Sequence, residues 1–332
     1  MTSAAAQPIQ ELTAGQKLGP YVLLCAIAQG GMARVWAARD SRDGRVVALK
    51  TIRPELAADR GFQSLFVDEA RYASSVDHGG VCRVFGLGDE HGVLYIAMEW
   101  VTGESLARIL KPHRDSPIQP IEPRMAARIL ADCCSALHAA HELQDDHGRA
   151  LRLVHCDVSL QNLLVTVTGG VKLVDFGVAR AQRSADGQSL PPKMDGKAAY
   201  MAPEHAAGRR ISRLSDVFTL GICLYEVTTG VRPFSAGSWD ATIERLLAGD
   251  FRPPSELVAD YPPELERILL RAMALSPAHR YPSALRMRAA LEEWLRASGT
   301  PLGGKHVSEF LHERVGAVIA ERENHIRGLV RG

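Results

Sequence analysis

The chain has 332 residues, of which 46% are hydrophobic and 23% charged, a composition that excludes fibrous, collagen-like and wholly disordered proteins. Lys and Arg number 39 against 38 Asp and Glu, so no overall charge indicates a nucleic acid or an anionic membrane as partner. No apolar run reaches the roughly 18 residues that span a bilayer, and six scattered cysteines are typical of reduced thiols. We therefore expect a cytoplasmic protein without a membrane segment.

The first part of the chain is rich in predicted strands. Residues 1–17 are small and polar and are predicted to be flexible. Between Tyr21 and Ile52, short β-branched runs alternate with glycine turns, which predicts an antiparallel meander. Phe66, Ala70 and Ala73 recur at helical spacing, and two further strands are predicted at Val81–Leu87 and Val93–Trp100.

The chain becomes helical after Gly103. Two strand-like runs, Asn162–Thr166 and Val171–Val174, interrupt this pattern. A β-rich lobe followed by a helical lobe is typical of the α+β class. The predicted helices cover 124–143, 212–229, 239–248, 264–274 and 283–297.

Two features of the β-rich part indicate phosphate chemistry. The glycine-rich segment Ala28–Val35 lies between two strands, where backbone N–H groups can approach phosphate oxygens, although many such pairs of glycines are ordinary turns. Lys50 ends an apolar strand, and a buried ammonium group needs a partner. Glu69, on the apolar side of the next helix, is the predicted partner; the alternative is a surface lysine.

Three short oxygen-bearing side chains follow strands in the helical part. Asp157, Asn162 and Asp175 are of the type that Mg²⁺ prefers beside phosphate oxygens, whereas each Asp alone is more often a cap or a turn residue. A thiol nucleophile or metal pair at His155 and Cys156 is disfavoured, because adjacent residues of a strand point in opposite directions.

Taken in order, these pieces resemble the eukaryotic-like (Hanks-type) bacterial serine/threonine protein kinase family over residues 18–297. The resemblance implies the bilobal protein-kinase fold, with a small β-rich N-lobe (18–101) and a larger, mainly helical C-lobe (102–297). The motifs are the glycine loop 28–35, the strand ending in Lys50, Glu69, the hinge Met98–Val101, the catalytic loop 155–162, Asp175-Phe176-Gly177, Ala202-Pro203-Glu204, Asp216 and Arg280.

The activity of this family implies a function for the chain and a role for each of these residues. The expected reaction transfers the γ-phosphate of ATP, with Mg²⁺, to Ser or Thr hydroxyls of protein substrates. Lys50, braced by Glu69, is expected to hold the phosphates, and Asp157 to orient the substrate hydroxyl and accept its proton. Asn162 and Asp175 are the expected Mg²⁺ ligands. The nucleotide-binding positions implied are Ala28, Gly30, Gly31, Val35, Ala48, Lys50, Met98 (gatekeeper), Glu99 and Val101 (through their backbones) and Ser159, while Glu204 is expected to pair with Arg280 in a structural role.

Several positions depart from the family pattern. Ala28 and Ala33 replace two loop glycines, Cys156 replaces the arginine before the catalytic aspartate, and Ser159 replaces the catalytic-loop lysine. Losing one preorganised hydrogen-bond donor to a developing charge slows a reaction by about 10²–10³-fold. Because the other catalytic residues are present, we expect reduced activity. Leu160 and the pair Gly196-Lys197 also differ from the usual Pro and Gly-Thr.

The departures leave other functions open. One alternative is a nucleotide-binding pseudokinase that acts as a signalling scaffold; another, an interaction module without nucleotide, is disfavoured by Lys50, Glu69 and Asp175 together. Because Cys156 offers no cation to a phosphate, phosphorylation of the activation segment at Ser184 or Ser189 is not expected to be the main switch.

The last segment, residues 298–332, lies outside the resemblance and is predicted to be an amphipathic helical extension. Its charges are balanced, which disfavours a membrane-surface helix. The apolar face could dock on the helical lobe, or it could contact a second copy of the chain or another partner. The apolar positions at helical spacing are Phe310, Leu311, Val315, Val318, Ile319, Ile326 and Leu329.

Overall fold

A computed structural model gives the fold and describes residues 11–31, 33–57, 59–113, 115–176 and 198–331. The chain divides into two units. The first unit comprises the residues up to 75 together with 82–101 and those from 320 onward, and the second comprises 76–81 and 102–319. The two lobes expected from the sequence, a β-rich one and a helical one, are both present.

The first unit is built on an antiparallel sheet of six strands in the order β1-β2-β3-β4-β6-β5. Alternation along the strands places Leu23, Trp36 and Leu49 on one face, where they form a buried core. Helix α1 (Arg60–Ser75) belongs to this unit, which also includes the end of the C-terminal helix from residue 320 onward. The strands are β1 (Lys17–Leu18), β2 (Tyr21–Gln29), β3 (Ala33–Asp40), β4 (Val46–Ile52), β5 (Val84–Glu90) and β6 (Val93–Glu99).

The predicted strand Val81–Leu87 is wrong at its start. Val81 makes only an isolated bridge with Leu173 and belongs to the second unit. The strand begins at Val84, where pairing with β6 starts. An apolar pair such as Val81-Cys82 does not by itself distinguish a strand from a buried connection.

The second unit is mainly helical and carries a three-stranded sheet, β7-β8-β9, formed by Gly103–Ser105, Leu163–Thr166 and Val171–Leu173. Short 3₁₀ turns lie at Pro54–Leu56 in the first unit and at Ala198–Tyr200, Pro254–Glu256 and Pro277–His279 in the second. The helices are α2 (Leu106–Leu110), α3 (Pro123–His141), α4 (Pro203–Ala206), α5 (Arg213–Thr229), α6 (Trp239–Ala248), α7 (Pro263–Ala272), α8 (Ala284–Ala297) and α9 (Gly304–Arg331).

Helix α5 lies in the core of the second unit, with every residue from 215 to 229 buried. Its start is fixed by a reciprocal cap, because the Ser212 hydroxyl accepts from Leu214 N–H (3.2 Å) and the Ser215 hydroxyl accepts from Ser212 N–H (3.1 Å). Its end is fixed by Gly230, whose φ of 75° suits a left-handed cap. This helix carries Asp216 into the interior.

The predicted pair of Glu204 and Arg280 is confirmed. Arg280 donates from Nη1 and Nη2 to the two carboxylate oxygens of Glu204, each at 2.8 Å. The remaining donors of the guanidinium reach the carbonyl oxygens of Leu214, Ala274 and Leu275. A buried ion pair with all its donors used is tolerated in a low-dielectric interior.

Helix α9 covers the segment whose apolar spacing indicated a helix. Within the second unit, the Ser308 hydroxyl donates to the Val167 carbonyl oxygen (2.6 Å), and Arg314 Nη1 donates to the Gln119 carbonyl oxygen (3.0 Å). Because other residues of the chain bury the apolar side of α9, contact with a second copy through that side is not supported. Its buried positions are Val307, Leu311, Val315, Ile319 and Ile326.

None of the helices in the described ranges is both long enough and apolar enough to cross a membrane.

Candidate active site

In the first unit, Lys50 and Glu69 form an ion pair, with Lys50 Nζ 2.6 Å from Glu69 Oε1. Both side chains are largely shielded from solvent, at 10% and 17% exposure. Strand β4 places the ammonium group, and α1 presents the carboxylate beside its buried residues Phe66, Ala70 and Ala73. The predicted pair is confirmed, and it is the geometry that a kinase requires for binding the α- and β-phosphates.

Strand register gathers the expected adenine contacts on the face of the sheet that carries Lys50. Val35 of β3 lies directly opposite Lys50 of β4, and Ala48 of β4 lies opposite Met98 of β6. Because side chains alternate between faces, Ala48 and Lys50 share a face. Val35, Ala48, Met98 and Lys50 are therefore neighbours on one surface.

The glycine loop is closed by a hydrogen bond from Gly30 N–H to the Ala33 carbonyl oxygen (2.9 Å). Ala28 and Ala33 lie in strands β2 and β3, and neither they nor Gly30 and Gly31 are among the described residues with positive φ. Alanine in place of the two glycines therefore adds no backbone strain at these positions. Met32 lies outside the described residues.

The hinge residue Glu99 is held by the residue that precedes β5. Glu99 N–H donates to the Arg83 carbonyl oxygen (2.9 Å), and Arg83 N–H donates to Glu99 Oε1 (2.8 Å). The Glu99 side chain is thus directed to Arg83. The expected contact of Glu99 with a nucleotide would therefore be made by its backbone. Val101 is the last hinge residue of the first unit.

In the second unit, the carboxylate of Asp216 holds the backbone just before Asp157. Asp216 accepts from His155 N–H (2.7 Å), from Cys156 N–H (2.9 Å) and from His141 Nε2 (2.8 Å). Cys156 has a φ of 62°, a conformation that costs a non-glycine residue about 1–3 kcal/mol. Burial raises the pKa of the Asp216 carboxyl, but the hydrogen bonds that it accepts from His141 and from the backbone of His155 favour the ionised form, and the pKa is lowered overall.

Asp157 and Asn162 are joined directly. Asn162 Nδ2 donates to the carbonyl oxygen (2.8 Å) and to Oδ2 (3.2 Å) of Asp157. Asp157 remains half-buried, with part of its surface open to solvent. A carboxylate fixed in this way can accept a proton from a hydroxyl that approaches it.

Asp175 is tied to the same loop through its neighbours. Val174 N–H donates to the Asn162 carbonyl oxygen (3.0 Å), and Asp175 has a φ of 57°. Phe176 is buried against the ring of His155, with 4.7 Å between ring centroids. Gly177 lies outside the described residues.

Burial lowers the pKa of His155, so the imidazole is neutral at pH 7. In the neutral ring, Nδ1 accepts from Asp157 N–H (3.2 Å) and Nε2 donates to the Val174 carbonyl oxygen (3.2 Å). The ring therefore links the residue that precedes Asp175 to the backbone of Asp157.

The donor set fits magnesium. The amide nitrogen of Asn162 donates both of its hydrogen bonds to Asp157. The carboxamide oxygen is therefore the atom of that side chain suited to a cation. Asp175 supplies a carboxylate. One or two protein oxygens, completed by phosphate oxygens and water, are what Mg²⁺ usually takes from proteins.

The departures within the catalytic loop are accommodated by the fold. The Ser159 carbonyl oxygen accepts from Asn162 N–H (3.0 Å), and the Leu160 carbonyl oxygen accepts from Ala107 N–H (3.1 Å). Both side chains are buried. Residues 155–162 contain no Lys or Arg, so this loop itself supplies no cation to a transferring phosphate. Gly196 and Lys197 lie outside the described residues.

Sequence reasoning missed His141 and the contact between Trp100 and Glu323. His141 lies 75 positions before Asp216, and Trp100 lies 223 positions before Glu323. No local pattern joins residues at such separations. The one available signal was a histidine on the apolar side of α3, which more often indicates a core residue than a partner of a carboxylate.

Comparisons with known proteins agree with this arrangement. Residues 21–290 match the family model described as "Protein kinase domain". The chain is 41% identical over 308 residues to the tyrosine-protein kinase MasK of Myxococcus xanthus, covering 90% of this chain and 47% of that protein. It is 39% identical over 267 residues to the serine/threonine-protein kinase PknB of Mycolicibacterium smegmatis, covering 79% and 41%.

The fold is also found among solved structures. The crystal structure of the Mycobacterium tuberculosis PknI kinase domain matches with a TM-score of 0.64 and 24% identity, over 86% of this chain and 99% of that one. The chain spans less than half the length of MasK and PknB. With the family model covering most of its length, and the motifs placed as described, the chain belongs to the protein kinase domain family.

Proposed function

We propose that this chain is an ATP-dependent protein kinase that phosphorylates Ser and Thr residues of protein substrates, at a reduced rate. The observation that carries the proposal is the ion pair of Lys50 and Glu69, 2.6 Å from Nζ to Oε1, because kinases need this pair in place for phosphoryl transfer. An interaction module that binds no nucleotide would have no requirement for it.

The proposed reaction uses the residues of both units. Lys50 binds the α- and β-phosphates of ATP. Asp157 accepts the proton of the substrate hydroxyl while its oxygen attacks the γ-phosphorus. The bond from that phosphorus to the β,γ-bridging oxygen breaks, and ADP leaves with the bonding electrons.

Asn162 has two tasks in this proposal. Its amide nitrogen donates to the carboxylate and to the backbone carbonyl of Asp157 and so fixes that side chain, and its carboxamide oxygen, with Asp175, would bind Mg²⁺. The ion neutralises charge on the phosphates when bound. Asp216 keeps the backbone before Asp157 in the strained conformation seen at Cys156 and is a positioning residue.

Specificity for Ser and Thr is the finer part of the proposal. It is supported by the resemblance to bacterial serine/threonine kinases and by the 39% identity to a relative named as such. The 41% identity to a relative named as a tyrosine kinase is the reason to test it. The catalytic loop carries Ser159 where the informative lysine would stand.

We also propose the boundaries and setting of the domain. The kinase domain spans residues 18–297, divided near residue 101, and residues 298–332 are an extension. The six scattered cysteines favour a reducing compartment such as the cytoplasm, and protein substrates are the proposed partners.

The test is transfer from γ-labelled ATP, with Mg²⁺, to a generic protein substrate, followed by mapping of the labelled residues. We expect slow incorporation into Ser and Thr, and none in Lys50→Met. Label confined to tyrosine would overturn the specificity. Nucleotide binding without any transfer would favour the pseudokinase alternative.

A further inference from the structure

The end of helix α9 packs on the sheet of the first unit. Ile326 is 2% exposed and lies in one apolar cluster with Leu24 of β2 and Ala37 of β3. Partly buried side chains surround it, namely Cys25, Ile27, Val46, Trp100 and Val330. Residues 304–319 of α9 belong to the second unit. Residues 320–331, which make these contacts, belong to the first unit.

Strand register shows which part of the sheet this cluster occupies. Ala37 lies directly opposite Ala48 across the β3–β4 pair, and paired residues of antiparallel strands point to the same face. Ala48 is one of the proposed adenine contacts. Ile326 therefore lies in one cluster with Ala37, the cross-strand neighbour of a proposed adenine contact, on the face that also carries Val35 and Lys50.

A second contact reaches the hinge. The indole Nε1 of Trp100 donates to Glu323 Oε1 (3.0 Å), and the guanidinium carbon of Arg322 lies 5.9 Å from the centroid of the indole ring. Trp100 stands between Glu99 and Val101, the two residues whose backbones are proposed to bind adenine. A hydrogen bond to an ionised acceptor is a strong constraint on a side chain, so Glu323 fixes the residue at the centre of the hinge.

We propose that two residues at the end of α9 position the nucleotide pocket: Glu323 fixes the hinge through Trp100, and Ile326 supports Ala48 through the cluster that contains Ala37. This inference rests on the proposed function, because it assumes that this face of the sheet binds adenine. It assigns the C-terminal helix a role in nucleotide affinity in addition to its packing. Neither residue touches the nucleotide itself.

The variants that test it are Glu323→Ala and Ile326→Ala, each with a matched control on an exposed side of the same helix. The controls are Glu321→Ala and Leu329→Ala, since both residues are exposed. The probe is the non-hydrolysable β,γ-imido analogue of ATP with Mg²⁺, titrated calorimetrically against the full chain. The KM for ATP, the KM for protein substrate and kcat are measured alongside.

We expect each test variant to raise the dissociation constant of the analogue by about fivefold, the scale of a modest coupling between sites. The KM for ATP should rise in parallel, with the KM for protein substrate unchanged. Both controls should bind like the wild type, and Ile326→Val should recover most of the affinity. A role in packing alone would lower the midpoint of unfolding without this selective change.

Unchanged nucleotide affinity in both Glu323→Ala and Ile326→Ala would overturn the inference, whatever their stability. Equal loss of affinity in the controls would also overturn it, because the effect would then be general to the helix. The proposed function fails separately, if the wild type binds the analogue but transfers no phosphate. A wild type that does not bind the analogue contradicts both.

Discussion

The carboxylate of Asp216 and the ring of His155 determine the local geometry around Asp157. Asp216 accepts the N–H groups of His155 and Cys156, which offsets the cost of the positive φ at Cys156. His155 in turn accepts Asp157 N–H and packs against Phe176. At the scale of single residues, buried side chains that take no part in phosphate transfer thus determine the orientation of Asp157.

Ser159 is the residue whose replacement should speed the enzyme. If the absent cation limits the rate, Ser159→Lys should raise kcat by about tenfold, or ~1.4 kcal/mol of barrier. Gln161→Lys is the control, since it adds the same charge at an exposed position of the same loop. An unchanged kcat in Ser159→Lys would show that another group already supplies that charge.

His155 should make stability depend on pH. Its folded-state pKa is lowered from the usual 6.5 by burial, so on acidification the unfolded chain takes up a proton before the folded chain does. Stability is therefore present above pH 6.5 and is lost as the pH falls through the interval down to the folded pKa. The midpoint of thermal unfolding, measured between about pH 7.5 and 5.5, should fall with pH.

The slope of that midpoint should be smaller in His155→Gln, which cannot take up the proton. The exposed His147 provides the control, and His147→Gln should keep the slope of the wild type. An identical slope in His155→Gln would assign the pH dependence to other groups.

At the scale of elements, the buried pair of Glu204 and Arg280 ties the start of α4 to the turn before α8. Burial raises the pKa of Glu204, but hydrogen bonds from Arg280 and Ser215 outweigh it, and the pKa is lowered overall. Glu204 is therefore ionised in the interior. Arg280 supplies the positive charge that pairs with it.

Arg280→Ala should lower the free energy of unfolding by about 3–5 kcal/mol, because it leaves a buried carboxylate without its partner. Arg267→Ala is the matched control. It removes a surface pair with Glu264, in which both side chains are mostly exposed, and should cost less than about 1 kcal/mol. Similar losses in the two variants, measured by urea unfolding, would contradict the role assigned to the buried pair.

The elements also show what a sequence can predict. Helices such as α5 and α6 were predicted within a residue or two of their observed ends, because their residues follow a helical period. The pairing of Lys50 with Glu69 followed from one buried charge needing another. The short β7 and α2 were missed, since segments of three and five residues are too short to define a period.

The contacts that could not be predicted are those between distant segments. Nothing in the sequence near Trp100 indicates Glu323, and nothing near Asp216 indicates His141. The apolar face of α9 was visible in its spacing. The extension was expected on the helical lobe, on another copy or on another partner, and the packing of Ile326 on the β-rich unit was not predicted.

At the scale of the whole molecule, each unit carries one part of the proposed machinery. The first has Lys50, Glu69 and the adenine-binding face, and the second has Asp157, Asn162 and Asp175. The segment 177–197, which includes Ser184 and Ser189, lies outside the described residues. The expectation that phosphorylation of this segment is not the main switch rests on the sequence, in which Cys156 stands where the family has an arginine.

Phosphorylation of Ser184 or Ser189 should not switch the enzyme, because Cys156 cannot bind the phosphate that would order the segment. The double variant Ser184→Ala/Ser189→Ala should retain the wild-type rate on a generic protein substrate. A fall of about tenfold, or ~1.4 kcal/mol, with the fold intact by circular dichroism would show that a phosphate switch operates without the arginine.

The most direct test of the account is the rate of phosphate transfer from ATP in Asp157→Asn, measured beside the wild type at saturating protein substrate. Asparagine preserves the size of the side chain but cannot accept the proton of the hydroxyl. We expect kcat to fall by about 10²–10⁴, with the KM for ATP unchanged. Transfer by Asp157→Asn at the wild-type rate would contradict the assignment of Asp157 as the base, and with it the proposed mechanism.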